Sequence, residues 1–447
     1  MWLRGLLHSS RKGRLVSRER AVETYEYPDR FIQGVIQVKA LTFEMKIPAY
    51  LLTGALSGIR PQVVHSSWVP VKMREVEEPE LIGPAWVTIK PRLSGFCGSD
   101  LGTVLCHESL TLEPFPSYPF VLGHEVCGDI AEVGEEVEGY TTGDRVVVMP
   151  VLSCSIRGID PPCRMCAQGR YQLCENLTEG SLAAGMYVGS CTDTPGFISE
   201  MGVAHVSQLY KVPQGVSDEN AVLSEPFSTA LHMVIANPIA EGETVMVIGH
   251  GVMGLCTIAA LKALHPDVRI IGVEVDPFHS EVARDMGVEE VIKPGGKKFY
   301  KRVAELTGAK MYTPTVTQPI LIGGVDRVFD AVGSTSTVHS ALRVLANGGW
   351  YNLLGIGKVK KIDWTPVWFK ELTIRGIYAY QDDMIGGERM HDFALALRLF
   401  AEGKVDLSHL VTHRFSLDEW HKALDTAMNK GREKAIKIVF TQMRELK

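Results

Sequence analysis

The chain has 447 residues, 45% of them apolar and 22% charged, with a formal net charge of −6. That length exceeds the roughly 250 to 300 residues at which one hydrophobic core stops growing, so at least two domains are expected. The composition suits a soluble enzyme, and the charge balance offers no basic footprint for nucleic acid.

The first 20 residues, MWLRGLLHSSRKGRLVSRER, carry four Arg and one Lys ahead of Glu19. They resemble a transit peptide but lack the unbroken apolar stretch of a secretory signal, and residues 1–36 are read as an N-terminal tail. From Val38 to Pro150 the runs VKALTFEM, WVTIKPRL, VCGDIAEVG and RVVVMPVL are short and strand-like, predicting a compact β domain. After residue 228 the apolar runs TVMVIG, RIIGVEV, GVDRVFDAV and WYNLLGI alternate with helical stretches. Such alternation predicts an α/β unit, a parallel sheet with helices on both faces. MHDFALALRLFAEG and LDEWHKALDTAMNKG read as amphipathic helices, and KAIKIVF as a strand that returns to the first domain. The expected division is a tail over 1–36, a catalytic domain over 37–227 with a cysteine lobe at 151–178, a nucleotide-binding domain over 228–378, and a return segment over 379–447. The uncharged run Thr244 to Leu261 is long enough for a membrane span, but its three glycines divide it into strand, turn and helix, so no transmembrane segment is expected.

Within that run, VMVIGHGVMG places Gly249, Gly251 and Gly254 after a strand and at the mouth of a helix. Glu274 ends the next strand, where a carboxylate hydrogen-bonds an adenosine ribose. Together they form a dinucleotide fingerprint, with the pyrophosphate at the positive end of the helix. Glu274 would repel a 2′-phosphate, which favours NAD over NADP; Asp276 is a second candidate for the ribose, and Arg284 keeps NADP open.

Nine cysteines, an odd number without a secretory signal, point to thiols and metal ligands in a reducing compartment, and a cytoplasmic location is expected. Cys163, Cys166 and Cys174 crowd one loop at the spacing of a structural zinc site. The fourth ligand is either Cys154, which completes an all-sulfur set, or Asp160. A second metal set begins in LSGFCGSD, which packs Cys97, Ser99 and Asp100 together, and continues in VLGHEVCG with His124 and Glu125. Thiolate and imidazole are good zinc ligands, and a third protein ligand leaves one position open for chemistry. Glu225 in LSEPFSTALH is a further candidate ligand, or else an acid in a first helical turn. Ser99, expected on an extended turn beside Cys97, would accept the proton of a substrate hydroxyl, and Asp100 would orient His124. Cys106 and Cys127 are read as small buried residues, and His107 and His232 as structural.

In this order CGSD, GHE, the cysteine lobe, EP, GHGVMG and FDAVGS resemble the zinc-dependent medium-chain alcohol dehydrogenases, close to their polyol and sugar branch, over Val38 to Phe440. The resemblance implies a GroES-like β-barrel domain joined to a Rossmann domain, an active site in the cleft between them, and a homodimer or homotetramer. It implies metal-ligand or near-ligand roles for Cys97, His124, Glu125 and Glu225, and places Val332 and Gly333 beside the nicotinamide. The implied activity is hydride transfer between NAD(P) and an alcohol, polyol or sugar hydroxyl, with catalytic and structural Zn²⁺ and no membrane or nucleic-acid partner. Two departures stand out. Gly102 occupies the position where the family often carries a histidine that ends its proton path, and IPAYLLTGALSGIRP and AKMYTPTVTQPILIGG look like additions. The competing readings are a zinc-independent quinone or enoyl reductase of the same fold, and a non-catalytic nucleotide-binding protein.

Overall fold

A computed structural model describes residues 36–357 and 359–442. The tail expected over residues 1–36 falls, but for Ile36, outside the described residues. The first part of the chain forms Gln37–Phe43 (β1), Ile47–Ser57 (α1), Val71–Glu77 (β2), Trp86–Phe96 (β3), Gly98–Val104 (α2), Phe120–Val121 (β4), Glu125–Val133 (β5), Arg145–Val148 (β6), Arg164–Ala167 (α3), Gly202–His205 (β7), Leu209–Lys211 (β8), Asp218–Val222 (α4) and Ser224–Ile235 (α5). The middle forms Thr244–Ile248 (β9), Val252–Leu264 (α6), Arg269–Val273 (β10), Pro277–Asp285 (α7), Glu290–Ile292 (β11), Gly296–Thr307 (α8), Lys310–Tyr312 (β12), Ile320–Ile322 (β13), Val325–Asp330 (β14), Thr335–Val344 (α9), Leu345–Leu353 (β15), Thr365–Phe369 (α10) and Thr373–Gly376 (β16). The last part adds Asp382–Ile385 (β17), Glu388–His391 (β18), Asp392–Ala401 (α11), Val411–Phe415 (β19), Trp420–Met428 (α12), Lys430–Glu433 (α13) and Lys437–Thr441 (β20).

Three sheets organise these elements. A seven-stranded sheet runs β19-β20-β3-β5-β6-β8, with β7 also paired to β3, and a three-stranded sheet runs β2-β1-β4. The third is parallel throughout in the order β11-β10-β9-β14-β15-β16. Its order reverses between β9 and β14, the point where ligands bind at the carboxyl ends of such strands. All five residues of β9, TVMVI, are buried, as expected of a strand covered on both faces. β20 crosses back to pair antiparallel with β3, Ile438 against Phe96 and Phe440 against Ser94, so the end of the chain helps to build the first sheet.

The structure departs from one local expectation at the site. Ser99 is not on an extended turn: Cys97 caps α2, and Ser99 lies in its first turn. The cause is Asp100, whose Oδ2 accepts the Cys97 backbone N–H at 2.8 Å and so closes the helix start from within. The two added segments take regular structure. IPAYLLTGALS is α1, and the second segment folds into the hairpin β12–β13. Among the described residues no helix is long and apolar enough to cross a membrane, because the uncharged run from Thr244 splits into β9 and α6.

Candidate active site and metal centres

The antiparallel pair of β3 and β5 presents the first cluster. Cys97 follows the end of β3, and His124 and Glu125 stand at the start of β5. Their ligand atoms lie within 4.8 Å of one another. His124 is buried, and its imidazole is held on both sides: Asp100 Oδ1 is 3.5 Å from Nδ1, and Ser99 Oγ is 3.5 Å from Nε2. Burial opposes a charge on this ring, but Asp100 and the Cys97 sulfur outweigh it and hold its pKa well above the ordinary value. The Tyr187 ring packs edge-on against it, 5.1 Å between centroids.

Glu125 is fully buried, and its Oε2 is ion-paired with the Lys437 ammonium on β20. Room for this carboxylate comes from Gly95, where a Cβ would overlap Glu125 Oε2. Glu125 Oε1 has no hydrogen-bond partner among the described residues. An orphaned carboxylate oxygen beside a thiol and an imidazole is a donor set that fits a cation such as Zn²⁺. Glu225 does not join this cluster. It lies in the first turn of α5, within electrostatic range of His124, Glu125 and Lys437, and hydrogen-bonds Tyr380. Burial pushes its carboxyl up to about 7, with Glu125 adding to the rise and His124 opposing it.

The second cluster is the cysteine lobe. The sulfurs of Cys154, Cys163, Cys166 and Cys174 lie within 4.8 Å of one another, and Asp160 is exposed and outside the group. Backbone N–H groups converge on three of them: Cys163 donates to Cys154 Sγ at 3.3 Å, Cys166 and Glu175 to Cys163 Sγ at 3.4 Å, and Asn176 to Cys174 Sγ at 3.4 Å. Amides aimed at sulfur favour thiolate, the form that binds metal. Four sulfurs in one shell fit a closed tetrahedral Zn²⁺ site.

A third group, His232, Asp383 and Asp392, is buried. His232 Nδ1 lies 2.7 Å from Asp383 Oδ2, and burial together with Asp383 raises the Asp392 carboxyl far above its ordinary range. Asp383 takes the His232 ring on one oxygen and the Gln381 amide on the other, so this group pins α5 to β17 as structure. His107 is likewise engaged, with Ser57 at 2.9 Å, and Cys106 and Cys127 are buried.

The glycine turn joins β9 to α6. A Cβ on Gly254 would overlap the Gly249 carbonyl, so Gly254 lets the helix start close against the strand, whereas a Cβ on Gly251 meets nothing within 4 Å, leaving a face where backbone is free to approach a pyrophosphate. Glu274, at the end of β10, accepts from the backbone N–H of His250 at 2.6 Å, Val275 at 2.6 Å and Asp276 at 2.9 Å, which ties it to the glycine turn. Asp276 instead caps α7 through the His279 N–H at 3.0 Å, and Arg284 lies near the end of that helix. Val332 and Gly333 follow β14 at the sheet's reversal point, and their N–H groups both donate to the buried Asp330 Oδ1 at 2.9 Å. Val332 also lies against Gly249, where a Cβ would strike its Cγ2. These residues fit a dinucleotide. Since α5 packs on α6, the helix bearing Glu225 is fixed to the helix that opens at the glycine turn.

Sequence reasoning missed Lys437, Tyr187, Tyr380 and Glu108. Only Lys437 left a signal: one charge in the otherwise apolar run IKIVF. Tyr187 and Tyr380 reach the cluster from distant loops, which no local spacing reveals.

Two family models match the chain, the alcohol dehydrogenase GroES-like domain over residues 83–214 and the zinc-binding dehydrogenase over residues 252–402. An L-idonate 5-dehydrogenase of Vitis vinifera is 30% identical over 368 residues, which span 80% of this chain and 88% of the relative. An L-threonine 3-dehydrogenase of Salmonella arizonae is 30% identical over 361 residues, spanning 80% of this chain and 93% of that one. Among solved structures, 2R,3R-butanediol dehydrogenase from Bacillus subtilis superposes with a TM-score of 0.67 at 27% identity, covering 83% of this chain and 96% of that chain.

Proposed function

We propose specific residue roles for this chain, which belongs to the zinc-dependent medium-chain alcohol and polyol dehydrogenases, enzymes that transfer a hydride between a hydroxyl and NAD(P). The substrate is an alcohol, polyol or sugar bearing the reactive hydroxyl. Cys97, His124 and Glu125 hold the catalytic Zn²⁺, with Glu225 beyond them as a second buried carboxylate in their electrostatic range, and Cys154, Cys163, Cys166 and Cys174 hold a structural Zn²⁺. When bound, the catalytic ion supplies Lewis acidity toward the substrate hydroxyl. Asp100 fixes the orientation of His124, and Ser99 accepts the hydroxyl proton. Gly249, Gly251 and Gly254 receive the pyrophosphate, Glu274 takes the adenosine ribose, and Val332 and Gly333 line the nicotinamide, with NAD preferred over NADP.

The observation that carries this reading is the convergence of the Cys97, His124 and Glu125 donor atoms within 4.8 Å. Self-association as a homodimer or homotetramer is supported by β16, which ends the parallel sheet with one edge unpaired among the described residues and which follows the exposed Trp364, Trp368 and Phe369 in the chain. A reducing, cytoplasmic setting agrees with nine free cysteines. The test is a panel of primary alcohols, secondary alcohols, polyols and sugars assayed with NAD and with NADP, on zinc-loaded, chelated and Cys97→Ser protein. Chelation and Cys97→Ser are expected to abolish turnover while coenzyme binding persists. Full turnover in verified zinc-free protein would overturn the reading.

A further inference from the structure

Oxidation of an alcohol releases a proton as well as a hydride, and Ser99 can accept that proton only if its own moves on. Ser99, Gly102 and Thr103 share one face of α2, at positions i, i+3 and i+4. On that face Gly102 contributes no side chain, and the only atom near a Cβ built there is Glu108 Cγ, at 3.9 Å. Glu108 thus folds back over the helix into the room that Gly102 leaves. Thr103 Oγ1 holds it there, donating to Glu108 Oε1 at 2.6 Å. Thr103 is buried, whereas Glu108 opens to solvent, so the pair spans from the buried side of α2 to the surface.

We propose that Glu108 is the proton-exit residue of this enzyme, receiving the proton that leaves by way of Ser99 and passing it to bulk water. The proposal rests on the dehydrogenase reading above. In the oxidation the C–H bond breaks with its electron pair going to C4 of NAD⁺, and the hydroxyl O–H bond breaks with its proton going to Ser99 Oγ. The Ser99 proton moves on to the Glu108 carboxylate, the carbon–oxygen bond becomes a carbonyl, and Glu108 then releases the proton to solvent. One helical turn separates the Cβ atoms of Ser99 and Thr103, about 5–6 Å, a span that a water bridges.

The other titratable groups around Glu108 are poorly suited to this task. Burial raises the pKa of Tyr50 on α1, of Tyr118 ahead of β4 and of Tyr187, and pushes the Cys106 thiol up to about 12, so all four stay neutral near pH 7. His124 belongs to the metal cluster, Asp100 is engaged by the Cys97 N–H and by His124, Glu113 acts on Tyr118, and the His107 ring turns to Ser57. Glu108 itself is shifted upward by the packing around its carboxyl, with Asp100 adding to the rise and the Thr103 hydrogen bond and His124 opposing it. That moves it toward neutral pH, where a proton carrier works best.

The experiment compares zinc-loaded wild type, Glu108→Gln, Glu108→Asp, Glu108→Ala and the double variant Gly102→His/Glu108→Ala. Glu108→Gln is expected to lower kcat roughly tenfold to a hundredfold and to remove the acid limb of the pH–rate profile, with coenzyme Kd and Tm unchanged. Glu108→Asp should retain most of the rate, and formate should restore part of it to Glu108→Ala. A histidine at 102 should also restore part of the rate, with a new limb near the ordinary pKa of imidazole, about 6.5. If wild type turns over and Glu108→Gln matches it within twofold with the same pH profile, the proposal falls and the dehydrogenase reading stands. Equal losses in Glu108→Gln and Glu108→Asp with a lowered Tm would also overturn it, as a structural role. No alcohol-dependent turnover in zinc-loaded wild type would sink the dehydrogenase reading and this proposal together.

Discussion

The ion pair of Lys437 and Glu125 gives the sharpest test of how the last strand supports the site. Both side chains are almost wholly buried, with relative exposures of 0% and 1%. Replacing Lys437 with Met keeps the length and apolar stem of the side chain but leaves the Glu125 carboxylate in the interior without its counter-charge. Removing one partner of a buried pair costs about 3–5 kcal/mol, far above the median of about 0–1 kcal/mol for a surface pair. Two features put this site at the upper end. Glu125 Oε1 has no alternative donor among the described residues, and Lys437 also lies in the field of Cys97 and Glu225, so its loss removes the cation that these groups share. Zinc bound in the cluster would offset part of that charge, so the loss should be larger in zinc-depleted protein than in loaded protein. The assay is urea unfolding followed by tryptophan fluorescence for wild type, Lys437→Met, Glu125→Gln and the double variant, each with and without zinc. The double variant removes both charges and should cost at least about 2 kcal/mol less than the sum of the two singles. If Lys437→Met stays within about 1 kcal/mol of wild type, or the singles simply add, the ion pair does not hold this corner together.

The two glycines of the nucleotide turn should separate binding from folding. Gly251→Val adds a side chain to open space, so it should leave Tm near wild type while weakening NAD binding by tenfold or more in a titration. Gly254→Ala collides with the Gly249 carbonyl and should instead lower Tm. Similar Tm losses in both variants would contradict the assignment of a binding face at 251. Acid stability should depend on His391, which burial holds at about 3, against about 6.5 in an unfolded chain. Between those values the unfolded state binds the extra proton, so stability is present above pH 6.5 and falls as the pH drops, by about 2 kcal/mol at pH 5. Tm measured from pH 7 to 5 should fall less in His391→Gln than in wild type; parallel curves would show that another group controls the acid limb.

Much of this protein is written in local patterns. The glycine turn after an apolar strand, the cysteine spacing of the lobe and the alternation of strands with helices are all set within windows of about 10 to 30 residues, where periodicity and turn chemistry act directly. The pairing across those windows depended on packing. Residue type favoured Cys154 over Asp160 as the fourth ligand but left both open, and the folded loop brings the Cys154 sulfur among the other three while Asp160 is exposed. Glu125 and Glu225 were both plausible ligands by residue type, and it was the register of β3, β5 and β20 that gathered Glu125 with Cys97 and His124 and set Lys437 against it. Glu108 carried no motif at all, and its place over Gly102 follows from the way the chain turns back after α2. Short-range steric and hydrogen-bond preferences are encoded residue by residue, whereas contacts between distant segments are chosen by burial of the whole core. That is why the chemistry's parts could be read from the chain and their partners only from its fold.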